Sequence, residues 1–158
     1  MEIGLTENES FTWRNFVRMQ TRLKAALAQA LQEESGLSYP DYQVLFLLSE
    51  ATGHALRGRD LRVELQWEKS RLAHQLRRME GRGLLIRESC AEDPRAPIVK
   101  ITAAGLASVQ AAAPAHVARI HDLVFKPLTD GQAADLDAIA QAILHGLRDR
   151  PSHRSATS

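Results

Sequence analysis

Ser70-Arg71-Leu72-Ala73-His74-Gln75-Leu76-Arg77-Arg78-Met79-Glu80-Gly81-Arg82-Gly83-Leu84-Leu85-Ile86-Arg87 is the stretch on which the fold turns. Leu72, Leu76 and Met79 recur at spacings of four and three, which puts them on one face of a helix predicted over residues 68–80. That stripe is narrow. The rest of the helix surface is polar and basic, carrying Lys69, Ser70, Arg71, His74, Arg77 and Arg78. Gly81-Arg82-Gly83 ends it, because glycine readily takes the left-handed conformation that closes a helix. The period then changes, and residues 84–90 and 97–102 read as two strands. The turn between them is polar and contains Pro94, so the pair is predicted to form a β-hairpin. Pro97 suits the first residue of an edge strand, where a missing donor does little harm.

Upstream, residues 58–65 read as a short helix with Leu61 and Leu65 inward, joined by Gln66-Trp67 to the basic helix. Short helix, tight turn, basic amphipathic helix and hairpin are the parts of a winged helix-turn-helix. Such a unit lays its second helix in the DNA major groove, held by an apolar stripe and reading through a donor-rich face. Ser70, Arg71 and His74 are the candidates for base edges, and Lys69, Arg77 and Arg78 for phosphates or bases. Arg95 at the hairpin tip would meet the backbone or the minor groove. Asp93 would brace its guanidinium through a charge-assisted hydrogen bond. A basic helix face can also be merely solvated, so the ordered set of elements carries the reading.

Charge supports it. The net charge is only +1, yet residues 57–100 hold eleven basic and seven acidic side chains. Residues 1–56 hold four and seven, and residues 101–158 five of each. Positive charge is thus concentrated in the segment that a polyanion would meet.

Flanking segments read as long helices. Thr6 and Glu9 form a capping box ahead of Trp13, Phe16, Val17, Leu23, Leu27 and Leu31, giving a helix over 6–34 that ends before Gly36. Ser38 caps a second helix that tolerates Pro40 in its first turn and stops near Gly53. Thr102 caps a helix running to about Phe125, which Pro114 is expected to kink. Thr129 and Gln132 form another capping box before a last helix carrying Leu136, Ile139, Ile143 and Leu147. The expected fold is mainly α with a small β-wing (α+β), a single domain over 1–158. Residues 38–102 make the winged helix-turn-helix lobe, 6–34 and 103–147 a helical dimerisation lobe, and 148–158 a polar tail.

With 158 residues, 44% hydrophobic and 25% charged, the chain has the proportions of a globular domain. Its longest apolar runs, such as Val44-Leu45-Phe46-Leu47-Leu48, are far too short to cross a bilayer. The first residues carry neither a basic nor an apolar targeting region, so a cytoplasmic location with no membrane partner is expected. Six histidines form no i, i+4 pair and the lone Cys90 seeds no cysteine site, so no metal and no cofactor are expected. There is no nucleophile elbow and no phosphate-binding glycine loop, and no enzyme is expected.

Residues 70–87 resemble the recognition helix and first wing strand of MarR-type (multiple antibiotic resistance) regulators, whose helix ends in an R-L/M-E-x-x-G-L-V-x-R run. Asp93-Pro94-Arg95 fits that family's D-x-R wing tip, and Ile101-Thr102-Ala103-Ala104-Gly105 its Leu/Ile-Thr-x-x-Gly. The similarity runs from about residue 8 to 147. Two residues depart from the pattern: Ala73, where many members carry Ser or Thr, and Pro94, where Arg or Gly is frequent.

The resemblance implies a winged-helix homodimer interlocked through residues 6–34, 103–125 and 129–147. It would act as a ligand-responsive repressor on double-stranded DNA, at a palindromic, inverted-repeat operator. Family members bind phenolic or other small aromatic effectors between the dimer helices and the DNA-binding lobe. Trp13, Phe16, Tyr42 and His116 are the candidates for lining that cavity here, or else are ordinary core residues. Cys90, at the end of the first wing strand, is expected to be inert rather than redox-sensing. The alternative function is a winged helix used only for protein interaction or dimerisation. Such a docking helix would expose aromatics rather than Arg and Lys.

Overall fold

The computed structural model describes residues 4–89 and 97–148, which divide after Arg119 into two compact units. The first begins with α1 (Glu7–Ser35), opened by the capping box of Thr6 and Glu9. The Glu9 amide donates to Thr6 Oγ1 at 3.2 Å and the Thr6 amide to the Glu9 carboxylate at 2.8 Å. These bonds to the charged form hold the Glu9 carboxyl below its usual pKa. Gly36 closes the helix at φ 71°, a left-handed conformation with little penalty only for glycine. A second box, Ser38 with Asp41, opens α2 (Tyr39–Glu50), and Pro40 occupies its first turn.

After a 3₁₀ turn at Thr52–His54 come β1 (Ala55–Arg57), α3 (Gly58–Leu65), α4 (Lys69–Gly81), β2 (Leu85–Glu88), β3 (Ile98–Ile101) and α5 (Ala103–Ile120). The expected hairpin is therefore part of a three-stranded antiparallel sheet ordered β1-β3-β2. Leu56 pairs with Val99 on one side of β3, and Arg87 pairs with Val99 on the other. The added strand, Ala55-Leu56-Arg57, is too short to show alternation. Val44, Leu45 and Leu48 from α2, Leu61 from α3, Met79 from α4, Leu85 and Val99 from the sheet are fully buried together. One core thus seats α4 against both α2 and the strands.

Thr102 and Gly105 lock the start of α5 onto the end of α4. The Thr102 hydroxyl donates to the Gly83 carbonyl at 2.7 Å and accepts the Gly105 amide at 3.0 Å, while the Thr102 amide donates to the Leu84 carbonyl at 3.1 Å. α5 carries Pro114 inside it and continues to Ile120 as one helix. Pro114 and Gln110, whose carbonyl loses its amide partner, are exposed, so water can satisfy that oxygen.

In the second unit, a π-helical turn (His121–Phe125) has the Lys126 amide donating to the His121 carbonyl at 2.8 Å. The last helix, α6 (Asp130–Arg148), is opened by Thr129 and Gln132 as expected. None of its residues is buried, and Leu136, Ile139, Ile143, Leu144 and Leu147 are exposed. In the first unit α1 likewise exposes Phe11, Trp13, Val17 and Met19. No helix among the described residues is long and apolar enough to cross a membrane.

Candidate nucleic-acid interface

The turn between α3 and α4 is closed by backbone bonds and by the Gln66 side chain, whose Nε2 donates to the Val63 carbonyl at 2.6 Å. Gln66 takes the left-handed conformation (φ 52°, ψ 40°). Its amide donates to the Val63 carbonyl at 3.2 Å and the next amide, of Trp67, to the Arg62 carbonyl at 3.2 Å. These are the paired bonds that seal a helix C-terminus and turn the chain out of it. Trp67 then precedes the α4 cap, Glu68, and is buried with Leu72 in the core. Apolar residues at those two positions staple the entry of a helix to its first turns.

On α4, Leu72, Gln75, Leu76 and Met79 are buried. Lys69, Ser70, Arg71, His74, Arg77 and Arg78 are exposed, so all six predicted residues of this helix share its outer surface. Lys69, His74, Arg77 and Arg78 form no ion pair among the described residues. Arg71 lies with its guanidinium carbon 4.4 Å from the centroid of the Trp67 ring, a cation–π contact.

The inward side of α4 is held by charges that sequence reading missed. Asp41 is 2% exposed. Its carboxylate accepts from Gln75 Nε2 at 2.6 Å, from Arg82 at 2.6 Å and from the Ser38 amide at 3.1 Å. The residue that helps cap α2 therefore also grips α4 in its middle and just past its end. A second clamp joins Glu80 to β2: Arg87 donates to its carboxylate through Nε at 2.9 Å, through a terminal nitrogen, and through its own amide at 3.0 Å. The Arg87 bonds hold the Glu80 carboxyl below its usual pKa.

Arg59 and Arg62 on α3 are exposed and extend the basic surface. With Lys69 and Arg87 they rim a cavity of about 340 Å³ whose apolar lining includes Leu72 and Leu76. The signal for them was in the excess of basic residues over 57–100, but helix period and hairpin pattern drew attention to α4 and the wing instead. Asp93 and Arg95, the wing-tip candidates, and Cys90 lie outside the described residues, as does the tail beyond Arg148.

The four candidate effector residues fall into two pairs. Tyr42 and His116 meet with ring centroids 4.5 Å apart, both buried, with Tyr39 at 6.2 Å from His116. Burial keeps the His116 imidazole below its ordinary pKa and raises that of the Tyr42 hydroxyl. Trp13 and Phe16, one helical turn apart on α1, touch each other at 6.0 Å; Trp13 is exposed and Phe16 half-buried. Among the described residues no ring contact joins the two pairs.

No family model and no curated relative matches the chain. Solved structures do. AbsC, a MarR family transcriptional regulator from Streptomyces coelicolor, is 34% identical, with 92% of this chain and 98% of that one covered at a TM-score of 0.85. Sco3205, a MarR family transcriptional regulator from the same organism solved in complex with DNA, is 31% identical, with 97% and 95% covered at 0.87. The MepR–DNA complex from S. aureus, at 20% identity, covers 90% and 98% at 0.74 and shares the fold.

Proposed function

Because the chain belongs to the MarR family of transcriptional regulators, we propose that it regulates transcription by binding double-stranded DNA with α4 in the major groove. The observation that carries this is the division of charge on α4. Gln75 and Glu80, with Arg82 just past the helix end, are tied inward to Asp41 and Arg87, while Lys69, His74, Arg77 and Arg78 face outward unpaired among the described residues. Polar groups spent on holding a helix and cations left over on its other side suit a helix that is itself the reader. Arg71, Ser70 and His74 are assigned to base edges, and Lys69, Arg77 and Arg78 to phosphates or bases. Arg95, braced by Asp93, is assigned to the wing contact.

The same proposal makes the protein a homodimer. The apolar side chains that α1 and α6 leave exposed would be covered by a second copy, and a two-fold dimer reads an inverted repeat. Release of a repressor by a small aromatic ligand is the mode of regulation proposed, with Tyr42 on α2 and His116 on α5 the aromatic contact between the DNA-binding lobe and a dimerisation helix. The site of action is cytoplasmic.

The test starts with selection of bound fragments from genomic DNA to define the operator. Arg71→Ala should cost about 1–3 kcal/mol on it and relax preference at one base pair per half-site. Arg95→Ala should weaken operator and random duplex more nearly alike, lowering the log–log salt slope by roughly one unit for each phosphate no longer neutralised. A chain that selects no fragment at low salt is instead a winged-helix interaction module.

A further inference from the structure

Trp67 is where three local constraints meet. Its amide closes α3 on the Arg62 carbonyl, its indole is 7% exposed in the core beside Leu72, and one face of that indole carries the Arg71 guanidinium. Packing accounts for the first two, and a leucine could pack there. The third it does not require.

We infer that Trp67 is a specificity-determining positioning residue, holding the Arg71 guanidinium so that its N–H edge meets one base. The inference rests on the proposed reading that Arg71 contacts bases.

Arginine pairs with guanine through two N–H groups in the guanidinium plane, so its value as a reader depends on where that plane lies. A free arginine must freeze its side-chain torsions on binding, whereas a pre-oriented fork loses less per bond formed. A contact with a ring face restricts the guanidinium without engaging its N–H edge. An ion pair would orient it too, but by occupying the edge. The neighbouring arginines show that contrast: Arg82 is bound to Asp41 and Arg87 to Glu80 through their N–H groups. Arg71, in the first turn of α4, has its ring contact and no hydrogen bond among the described residues. It is the arginine of this surface that is aimed without being neutralised. The turn fixes the aim, because Gln66 in its left-handed conformation and the two sealing bonds set where Trp67 enters the core.

The experiment uses the full chain, the selected operator, the same operator with each base pair changed in turn, and random duplex, with melting temperatures recorded alongside. Trp67→Leu keeps an apolar side chain and removes the ring. It should weaken operator binding about 3- to 10-fold, leave random-duplex affinity unchanged, and relax the same base pair that Arg71→Ala relaxes. The double variant should bind no worse than Arg71→Ala alone. Trp67→Phe keeps a smaller ring and should relax that base pair about twofold. It also serves as the test if Trp67→Leu melts below the assay temperature. Equal loss on operator and random duplex would reduce Trp67 to a prop for α4. Tighter operator binding by Trp67→Leu would mean that the indole sequesters the guanidinium. Either result overturns the inference while leaving the reading of Arg71 intact. If Arg71→Ala itself shifts no base preference, the reading of Arg71 fails, and the role of Trp67 falls with it.

Discussion

Gly105 is the position where one added methyl group should do most damage. A Cβ built there would lie 2.0 Å from the Leu84 carbonyl oxygen, 3.0 Å from its carbon and 2.9 Å from Ile101 Cγ1. The obstacle is mostly backbone, so no rotamer change relieves it, and the start of α5 must move off Leu84 by more than about 1 Å to regain van der Waals distance. That movement pulls on the Thr102–Leu84, Thr102–Gly83 and Gly105–Thr102 hydrogen bonds together. Each bond contributes about 1 kcal/mol net. Overpacking costs a further 1–3 kcal/mol or so, and alanine returns about 0.5–1 kcal/mol through its better helix propensity. Gly105→Ala is therefore expected to destabilise the fold by about 3–5 kcal/mol. Urea unfolding with linear extrapolation measures it: the midpoint should fall with the slope unchanged. A variant as stable as the parent would refute the reasoning, because it would mean that α5 and Leu84 separate without loss.

Asp41→Ala removes the acceptor shared by Gln75, Arg82 and the Ser38 amide. It should cost about 2–4 kcal/mol in the same assay, less than a fully buried pair because Arg82 is 41% exposed and can be hydrated. His116 has its folded-state pKa depressed by burial, so it favours the native state only while neutral. Its contribution should be whole above about pH 6.5 and be lost as pH falls from there toward the lowered folded value, levelling off below it. His116→Gln should flatten that part of a stability–pH profile, and an unchanged profile would rule the group out. Sedimentation at micromolar concentration should find a dimer, and a monomer that still binds operator tightly would contradict the role assigned to the exposed faces of α1 and α6.

What the sequence disclosed was whatever local spacing encodes. The stripe of Leu72, Leu76 and Met79 and the basic residues around it could be read directly, because helix period alone assigns residues to faces. Capping boxes at Thr6 and Thr129 and the cap at Ser38 were legible for the same reason, each being set within four residues. β1 was not, since three residues carry no period and its partner Val99 is 43 positions from Leu56. The Asp41 clamp was hidden because it spans 34 and 41 positions. One clue was available: Gln75 falls between Leu72 and Met79 on the apolar side, and a polar side chain placed there needs a buried partner. Trp67 was legible only as a turn residue, although its spacing from Leu72 is that of a helix-entry staple.

The polar bonds around Asp41 and Glu80 bear on a matter the apolar stripe cannot decide. Leu72, Leu76 and Met79 keep α4 on the domain, but flexible aliphatic chains tolerate a rotation of several degrees about the helix axis with little loss of buried area. A reading helix tolerates much less, because even the small displacement this gives an arginine tip spoils a two-bond pairing with a base, whose geometry is narrow. Hydrogen bonds and cation–π contacts restrict orientation more than aliphatic packing does, and the structure places them along the whole helix: Trp67 with Arg71 at its start, Gln75 on Asp41 in its middle, Glu80 on Arg87 and Arg82 on Asp41 at its end. Asp41 serves two of these and is fixed in turn by the Ser38 amide at the head of α2. Its neighbour Tyr42 packs on His116 of α5. A shift of α5 against Tyr42 would thus be felt one residue away by the carboxylate that sets the rotation of α4. Under the proposed ligand response, an effector near His116 would need to move α2 only slightly to spoil the alignment of α4.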